Sequence, residues 1–209
     1  MGGQASTPVR SVGVRSQANL RIVGLLLAAG SATRFGSDKL RHALPHGVPI
    51  AVQAARQLKT ELAEVIVVVR DRAAADMFER EGCRTVLCEN AAEGMGASLA
   101  CAARAAGACD GYIVALGDMP FVRRSSIAAV REALEKGAQV VQPFFRARRG
   151  HPVGFAGRFF PQLLDLKGDE GARRVIAAHE TELVKIPVGD PGVIRDIDTP
   201  DDLAPPIRV

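Results

Sequence analysis

Short apolar runs alternate with alanine-rich amphipathic segments through the first two thirds of this sequence. The apolar runs are of strand length and comprise Ile22–Ala28, Val65–Val69, Thr85–Leu87 and Tyr112–Leu116. The alanine-rich segments between them are of helical length and comprise Ile50–Leu58, Arg72–Glu81, Ala97–Ala106 and Ser125–Lys136. Continuous apolar runs are typical of strands buried on both faces, and their alternation with helices predicts βαβ units. We therefore predict an α/β fold with three layers, α/β/α, around a mostly parallel sheet.

The pattern changes after about residue 138, where strand-like segments come more closely one after another. The predicted elements are a strand at Gln139–Phe145, a basic loop at Arg146–Gly150, a returning strand at Pro152–Phe155, short helices near Phe159–Leu166 and Glu170–His179, and late strands at Leu183–Pro187 and Val193–Ile197. These elements predict a β-hairpin and helical lobe that covers one end of the parallel sheet. Since no linker composition separates the halves, we predict one domain over residues 22–209, after a flexible tail of residues 1–21.

Composition and charge argue against two classes of function. Apolar residues make up 47% of the chain, but no run approaches the roughly 18–20 apolar residues that span a bilayer, so no membrane role is expected. Of the net charge of +4, three positive charges belong to Arg10, Arg15 and Arg21 in the tail. Aromatic residues, on which nucleic-acid bases stack, are only 4%, so no nucleic-acid partner is expected.

The cysteines predict a reducing compartment. Cys83, Cys88, Cys101 and Cys109 form no Cys-x-x-Cys pair and no zinc-like spacing, so we expect reduced thiols. The first 20 residues lack the apolar core of a signal peptide. We therefore expect a cytoplasmic protein.

The densest chemical signal comes directly after the first predicted strand and reads Leu-Ala-Ala-Gly-Ser-Ala-Thr-Arg-Phe-Gly-Ser-Asp-Lys (residues 27–39). Ligands of α/β folds bind at the carboxyl ends of the strands. Gly30 and Gly36 allow backbone N–H groups to surround a phosphate, and Arg34 and Lys39 add positive charge. This combination predicts a triphosphate-binding loop, although the spacing is not that of a P-loop. The alternative is a solvated turn with basic residues.

A second motif, Leu-Gly-Asp-Met-Pro (residues 116–120), ends the fourth apolar strand. Because parallel strands point one way, the carboxylate of Asp118 is expected to face the same opening as the phosphate loop. Mg²⁺ takes carboxylate and phosphate oxygens as ligands. The alternative is a plain turn at the end of a strand, since aspartate and proline both favour turns.

A third motif, Arg-Asp-Ile-Asp-Thr-Pro-Asp-Asp, covers residues 195–202. From Thr199 onward it has the residues of a helix start, which accounts for that part of the motif. It does not account for Asp196 and Asp198, which flank Ile197. Alternate residues of an extended segment share one face, so both carboxylates can face the site.

These motifs resemble those of nucleotidyltransferases with a GT-A-like fold. More narrowly, the chain from about Ile22 to Leu203 resembles the molybdenum cofactor cytidylyltransferase family, bacterial enzymes that join CMP to molybdopterin. In the sister family that uses GTP, the residue at position 29 is typically glycine, so Ala29 favours CTP. The site implied by this resemblance comprises catalytic Arg34, Lys39 and Asp118, nucleotide contacts at Ala28, Ala29, Gly30, Gly36, Gly94 and Ser98, acceptor contacts at Arg149, His151, Asp169 and Asp198, and metal ligands Asp118 and Asp196. The alternative role of Asp196 is an acceptor contact.

Three of these roles have structural alternatives. In the resembled family, Ser98 would hydrogen-bond the pyrimidine, but it also fits a plain first turn of a helix. His151, in Arg-Gly-His-Pro (residues 149–152), would meet the acceptor's phosphate or pterin, but it also fits a structural loop histidine. Asp169 matches a family motif on the acceptor side and is equally a good helix cap.

The resemblance implies transfer of CMP from CTP to the terminal phosphate of molybdopterin that carries molybdenum, with Mg²⁺ or Mn²⁺ as cofactor. A further implied partner is a molybdoenzyme, or its chaperone, that receives the product. Alternatives are transfer of GMP, transfer of CMP to another phosphorylated acceptor, and a non-catalytic NTP-binding chaperone. Intact Asp118 and Lys39 disfavour the last alternative.

Overall fold

Eight strands within the described residues, 20–30 and 39–203, form one mixed sheet in the computed structural model. In chain order they are β1 (Ile22–Leu27), β2 (Glu64–Val69), β3 (Arg84–Leu87), β4 (Gly111–Leu116), β5 (Val140–Phe145), β6 (Arg148–Arg149), β7 (Val153–Ala156) and β8 (Leu183–Pro187). Their order across the sheet is β3-β2-β1-β4-β7-β5-β6, and β8 pairs with β5. The predicted α/β class is confirmed.

Helices cover both faces of this sheet. In the described part of the chain they are α1 (Ile50–Lys59), α2 (Arg72–Arg80), α3 (Met95–Ala106), α4 (Arg124–Glu135), α5 (Phe160–Leu164) and α6 (Arg173–Ala178). On one face, α1 and α4 bury Leu58 and Ile127 in a cluster with Val67 of β2. On the other face, α3 buries Leu99 in a cluster with Ile66. Because the neighbours Ile66 and Val67 enter opposite clusters, the strand is buried on both faces, as its continuous apolar run predicts.

The first four strands are parallel and end at the same side of the sheet. Leu25 of β1 pairs with Ile66 of β2 and with Val114 of β4, and Ile66 pairs in turn with Arg84 of β3. We call the side where these strands end the carboxyl edge. The loops after β1, β2, β3 and β4 all lie there, so they can contribute to one site.

The second half of the chain extends the sheet and does not cover one of its ends, which corrects the predicted placement of the lobe. β7 lies between β4 and β5 and is antiparallel to both, since Phe155 pairs with Tyr112 and with Val140. All three side chains are fully buried. Strands that are apolar on both faces need a layer on each side, and joining the sheet provides both. Because β5 consequently runs parallel to β4, it also ends at the carboxyl edge.

The predicted strand Val193–Ile197 is wrong. Residues Pro191–Ile194 form a 3-10 helix, which Asp190 begins by accepting a hydrogen bond of 2.9 Å from the N–H of Gly192. Proline lacks the N–H that a strand ladder needs, and a side chain that binds the backbone two residues ahead favours a turn. A hydrogen bond from the Ile197 N–H to the Asp118 carbonyl, at 2.9 Å, connects the end of this segment to the loop after β4.

The predicted helix Glu170–His179 begins three residues late, at Arg173. Gly168 and Gly171 both have positive φ, +56° and +52°, which no α-helix accommodates. The loop of residues 167–171 therefore stays irregular, and it packs beside the start of α3.

Arg21, the last residue of the predicted tail, contacts the sheet at the opposite side from the carboxyl edge. Its N–H donates to Asp110 at 2.8 Å and its guanidinium pairs with Glu64 at 2.8 Å. Residues 1–19 of the predicted tail lie outside the described residues. Among the helices of the described residues, none is both long and apolar enough to cross a membrane.

Candidate functional site

Asp118 stands at the carboxyl edge, two residues beyond the end of β4. Gly117 makes this position possible because its N–H donates to the Leu27 carbonyl at 2.9 Å, and a Cβ there would lie only 3.1 Å from the same oxygen. The chain after β4 therefore runs close to the chain after β1. This brings Asp118 beside the predicted phosphate loop.

Asp196 and Asp198 join Asp118 in one cluster of carboxylates. The residue between them, Ile197, is fully buried against Leu44 and Ile50, which directs its two neighbours outward on the same side. Each of the three aspartates has an oxygen within 4.8 Å of an oxygen of the others. Asp198, which the sequence suggested as an acceptor contact, thus lies with Asp118.

Lys39 neutralises part of this negative charge. Its Nζ lies 3.0 Å from Asp118 Oδ2 and 3.0 Å from Asp198 Oδ1, and only 11% of its side chain is exposed. Burial lowers the pKa of Lys39, but the carboxylates of Asp118 and Asp198 outweigh it, so the pKa is raised above its ordinary value. Burial also raises the pKa of Asp118, assisted by the nearby charge of Asp196 and opposed by Lys39.

The cluster has the donor set of a divalent cation site. Hard cations such as Mg²⁺ and Mn²⁺ bind carboxylate oxygens, usually from one or two side chains, and complete their coordination with phosphate oxygens and water. Asp118, Asp196 and Asp198 are close enough together to share one ion. The residues present therefore fit a divalent metal, and no histidine or cysteine ligand is among the three.

A cleft of about 540 Å³ extends along the carboxyl edge from this cluster. That volume is in the range of small-ligand sites. Many of the predicted site residues line it, namely Ala29, Gly30, Lys39, Gly94, Ser98, Asp118 and Asp169. Ala28 is buried behind the cleft, where its N–H donates to the Val68 carbonyl at 3.0 Å and so joins the β1 loop to β2.

The start of α3 forms one wall of the cleft through close packing of two glycines. A Cβ at Gly94, whose φ is +129°, would lie 2.3 Å from Asp169 Oδ1, and one at Gly96 would lie 2.5 Å from the Lys167 carbonyl. The N–H of Gly96 donates to the Gly168 carbonyl at 2.6 Å. These glycines thus hold the 167–171 loop against α3, and Asp169 faces the cleft without capping α6.

Gly96→Ala should destabilise the protein although it adds a better helix former. The gain in helix propensity is about 1 kcal/mol. A Cβ so near two backbone carbonyls, however, forces the loop away from α3. This movement widens the cleft and costs roughly 1–3 kcal/mol of stability. Thermal unfolding measures the change. Gly189→Ala is the control, since a Cβ there has nothing within 4 Å. Equal melting temperatures for the two variants would contradict the close contact.

Two charged residues that line the cleft were not among the predicted site residues. Arg70 comes directly after the last residue of β2, and Glu89 lies two residues beyond β3. Both positions could have been found by the rule that located Asp118, because loops after parallel strands meet at one edge. Only the loops after β1 and β4 carry motifs dense enough to draw attention in the sequence.

His151 precedes β7, and its ring is not free to titrate near neutral pH. Burial is the main cause that lowers its pKa to about 4; the charge of Arg173 acts in the same direction, and a backbone hydrogen bond at Val114 and the charge of Asp196 act against it. Its Nδ1 is buried and has no hydrogen-bond partner within the described residues. The imidazole is therefore neutral at physiological pH.

Asp190 was not among the predicted site residues, yet it positions the third motif. It is 2% exposed, and its carboxylate accepts from the N–H of Arg123 at 2.8 Å and from the Ser126 hydroxyl at 2.8 Å. A Cβ at Gly192 would lie 2.1 Å from the Phe121 carbonyl, so the chain passes tightly beside the loop after Asp118. These contacts bring residues 196–198 to Asp118.

Comparison with known proteins assigns the chain to a family. Residues 24–183 match the family model described as the MobA-like NTP transferase domain. The chain belongs to that family. It is 30% identical over 194 residues to the purine catabolism protein PucB of Bacillus subtilis (strain 168), a match that covers 87% of this chain and 93% of that protein.

Solved structures share the fold. Rv0371c from Mycobacterium tuberculosis H37Rv has 23% sequence identity and a TM-score of 0.75, over 88% of this chain and 95% of that chain. A second structure of Rv0371c, with a TM-score of 0.70 and 24% identity over 87% of this chain and 95% of that chain, is a complex with manganese. Molybdopterin-guanine dinucleotide biosynthesis protein A from Archaeoglobus fulgidus has 20% identity and a TM-score of 0.63, over 87% of this chain and 94% of that chain.

Membership of the MobA-like NTP transferase family makes the chain a nucleotidyltransferase and confirms the resemblance to the nucleotidyltransferases of molybdenum cofactor synthesis at the level of the family.

Two residues of the predicted phosphate loop, Arg34 and Gly36, lie outside the described residues. Arg149, a predicted acceptor contact, is half-exposed on β6 and pairs with Glu180 at 3.0 Å. The structure thus gives Arg149 a surface ion pair and does not bring it to Asp118.

Proposed function

We propose that this nucleotidyltransferase transfers CMP from CTP to the terminal phosphate of molybdopterin, with Mg²⁺ as cofactor and pyrophosphate as second product. The observation that carries the proposal is the cluster of Asp118, Asp196 and Asp198 around Lys39 at one end of a cleft of nucleotide size. Oxygen ligands and an ammonium group together suit a triphosphate with its metal.

The residues of this chain orient the two substrates and neutralise their negative charge, and the reaction needs no general base. Gly30 and Lys39 lie where the triphosphate would enter the cleft, and the three aspartates would hold the cation. A bound cation neutralises negative charge on the phosphates and on the departing pyrophosphate. An oxygen of the acceptor's phosphate forms a bond to the α-phosphorus, and the bond from that phosphorus to the bridging oxygen of pyrophosphate breaks. Since the attacking phosphate is already ionised near pH 7, orientation and charge neutralisation provide the rate.

The acceptor site is expected beside Asp118 on the side of β7 and β5. Asp169 faces the cleft, whereas His151 precedes β7 and lines a small separate cavity with Ala115 and Leu116 of β4. The Archaeoglobus relative is named for the biosynthesis of molybdopterin-guanine dinucleotide, which supports a pterin acceptor. We further expect a cytoplasmic enzyme whose product passes to a molybdoenzyme or its chaperone.

The nucleotide is expected to be CTP in preference to GTP. Ala29 lines the cleft and is only 7% exposed, so its methyl occupies room that a purine needs. One added methyl group in a close-packed site is enough to disfavour a larger base. Competition between CTP and GTP in one reaction, with mass spectrometry of the product, measures the preference. Ala29→Gly should shift the ratio towards GMP transfer, and a wild-type preference for GTP would exclude the cytidylyl assignment.

The decisive experiment is pyrophosphate release with each of the four NTPs, with and without molybdopterin. We expect release that depends on CTP, on molybdopterin and on Mg²⁺ or Mn²⁺. If pyrophosphate were released with CTP and another phosphorylated acceptor, but not with molybdopterin, the nucleotidyltransferase activity would stand and the assignment of molybdopterin as acceptor would be wrong.

A further inference from the structure

Two cysteine thiols lie side by side at the wall of the nucleotide cleft. Cys88 lies one residue beyond β3 and lines the cleft, and Cys101 lies on α3. Cys88 Sγ is 3.8 Å from the Ala97 carbonyl oxygen of α3. Cys101 Sγ is 3.9 Å from the Leu87 carbonyl oxygen of β3. Each contact partner is a near neighbour of the other cysteine, by one residue along the strand or by one turn along the helix, so the reciprocal contacts bring the two sulfur atoms close together.

The two thiols differ in their access to solvent. Cys88 is buried in the apolar cluster that α3 forms with one face of the sheet, and Cys101 packs against that cluster but stays partly exposed. Burial is the main cause that raises the pKa of Cys88 to about 12, and the adjacent Cys101 thiol acts in the same direction. Since a protonated thiol is a poor nucleophile, an oxidant from solution reacts first at Cys101.

The segment that joins the two cysteines forms much of this wall of the cleft. The Cys88 thiol donates to Asn90 Oδ1 at 3.2 Å, and the Cys88 carbonyl accepts from the N–H of Ala91 at 3.1 Å. Besides Cys88, the residues of this segment that line the cleft include Glu89, Ala91, Gly94 and Ser98. A covalent bond that draws the Cys88 sulfur onto α3 therefore removes the hydrogen bond to Asn90 and moves residues that border the nucleotide.

We propose that Cys88 and Cys101 are a redox-active pair whose disulfide, formed by a peroxide, distorts the nucleotide cleft and lowers turnover until a dithiol reduces it. The reduced pair is the active form. This inference rests on the nucleotidyltransferase activity and is independent of whether the substrates are CTP and molybdopterin.

The oxidation removes two electrons from the two thiols and transfers them to hydrogen peroxide. The Cys101 sulfur attacks one peroxide oxygen, the O–O bond breaks, and the departing hydroxide takes the Cys101 proton to give water and a sulfenic acid. The Cys88 sulfur then attacks the Cys101 sulfur, the S–O bond breaks, and the hydroxyl group leaves as water with the Cys88 proton. A dithiol such as dithiothreitol restores both thiols by two successive exchange steps.

Bond formation requires a movement at the wall of the cleft. The two sulfur atoms must approach to about 2.0 Å, which is much less than the distance between sulfurs in van der Waals contact. Since α3 is a regular helix packed on the sheet, the short segment after β3 is the part that moves. A displacement of about 1 Å in a substrate site is enough to reduce turnover roughly tenfold or more.

The disulfide itself is tested by peptide mapping of the full chain after treatment with hydrogen peroxide. Cleavage after arginine leaves both cysteines in residues 85–104, and further cleavage after Glu89 and Glu93 separates residues 85–89 from residues 94–104. We expect these two peptides to remain joined, at a mass lower by two hydrogen atoms than their sum. Dithiothreitol should separate them. This measurement needs no substrate, so it stands even if the proposed function is wrong.

The effect on the cleft is tested by pyrophosphate release with the NTP that the wild-type protein uses best. Peroxide should reduce release roughly tenfold or more, and dithiothreitol should restore it. Cys101→Ala should retain the untreated activity and resist peroxide, and Cys101→Ser provides a second variant if alanine lowers the melting temperature. Cys109→Ala is the matched control, because Cys109 is also half-buried but lies before β4. It should remain as sensitive to peroxide as the wild type.

Three results would overturn the inference. The first is that both cysteines of residues 85–104 stay open to alkylation after peroxide treatment. The second is that the joined peptides form but pyrophosphate release is unchanged, because the disulfide would then not act on the cleft. The third is an equal and irreversible loss of activity in the wild type and Cys101→Ala, which would assign the loss to another side chain such as the exposed Met95, whose sulfoxide dithiothreitol does not reduce.

Discussion

Asp118→Asn should reduce kcat by roughly 10²-fold or more while the protein stays folded. Asp118 is the member of the carboxylate cluster that lines the cleft, and Lys39 contacts it at 3.0 Å. Loss of one anionic ligand weakens the hold on the cation, which forfeits several kcal/mol of charge stabilisation in the transition state. The rate of pyrophosphate release at saturating CTP measures the effect, and a calorimetric titration with Mn²⁺ should show weaker binding.

The stability of Asp118→Asn should equal or exceed that of the wild type when no metal is present. Burial raises the pKa of Asp118 in the folded protein, so its ionised form is less favourable there than in the unfolded chain. For a carboxyl group with a raised pKa, stability increases as the pH falls through the folded pKa and is lower at neutral pH. Removing the charge therefore removes a cost at pH 7, although Lys39 loses one partner.

Asp76→Asn provides the matched control, because Asp76 lies on α2 and forms an exposed ion pair with Arg72. It should leave kcat and Mn²⁺ affinity unchanged. Normal turnover of Asp118→Asn at saturating Mg²⁺ would exclude the cluster as the metal site. A large fall in its melting temperature would instead show that the carboxylate supports the fold.

The location of the site could be predicted from the sequence because it depends on local signals. Apolar runs that end at Leu27 and Leu116 identify two strands, and the loops after parallel strands meet at one edge. The alternation around Ile197 is equally local, since one buried residue directs Asp196 and Asp198 to the same side. These patterns need no knowledge of the rest of the fold.

The features that could not be predicted depend on contacts between distant residues. The position of β7 between β4 and β5 is decided by packing over the whole sheet, which no single segment encodes. The contact of Asp198 with Lys39 joins residues 159 positions apart, which no local pattern indicates. The ion pair of Arg149 with Glu180 likewise joins two different elements. Such long-range contacts are set by the folded structure and cannot be read from a short segment.

Lys39→Met should lower kcat/KM for CTP by roughly 10²-fold or more and, in the absence of nucleotide, raise the affinity for Mn²⁺ about tenfold or more. The two effects have opposite signs because the Lys39 ammonium occupies Asp118 Oδ2 and Asp198 Oδ1, the oxygens that a metal ion would use. A cation and an ammonium group compete for the same carboxylates, and the attraction per pair is several kcal/mol in a partly buried site. With nucleotide bound, the triphosphate gives the ammonium other oxygens, and its absence then costs charge neutralisation.

The stability of Lys39→Met should depend on metal for the same physical reason. The pKa of Lys39 is raised in the folded protein, so its charged form contributes stability at neutral pH that is lost only as the pH rises through the folded pKa. Replacing it leaves three carboxylates in contact with no ammonium, so the melting temperature of the metal-free variant should fall. Mn²⁺ should restore it, because a ligand that binds only the folded state stabilises that state. Lys136→Met, which removes an exposed lysine paired at 3.8 Å with Glu132, controls for the loss of charge. Weaker Mn²⁺ binding by Lys39→Met would mean that the lysine organises the aspartates for the metal and does not compete with it.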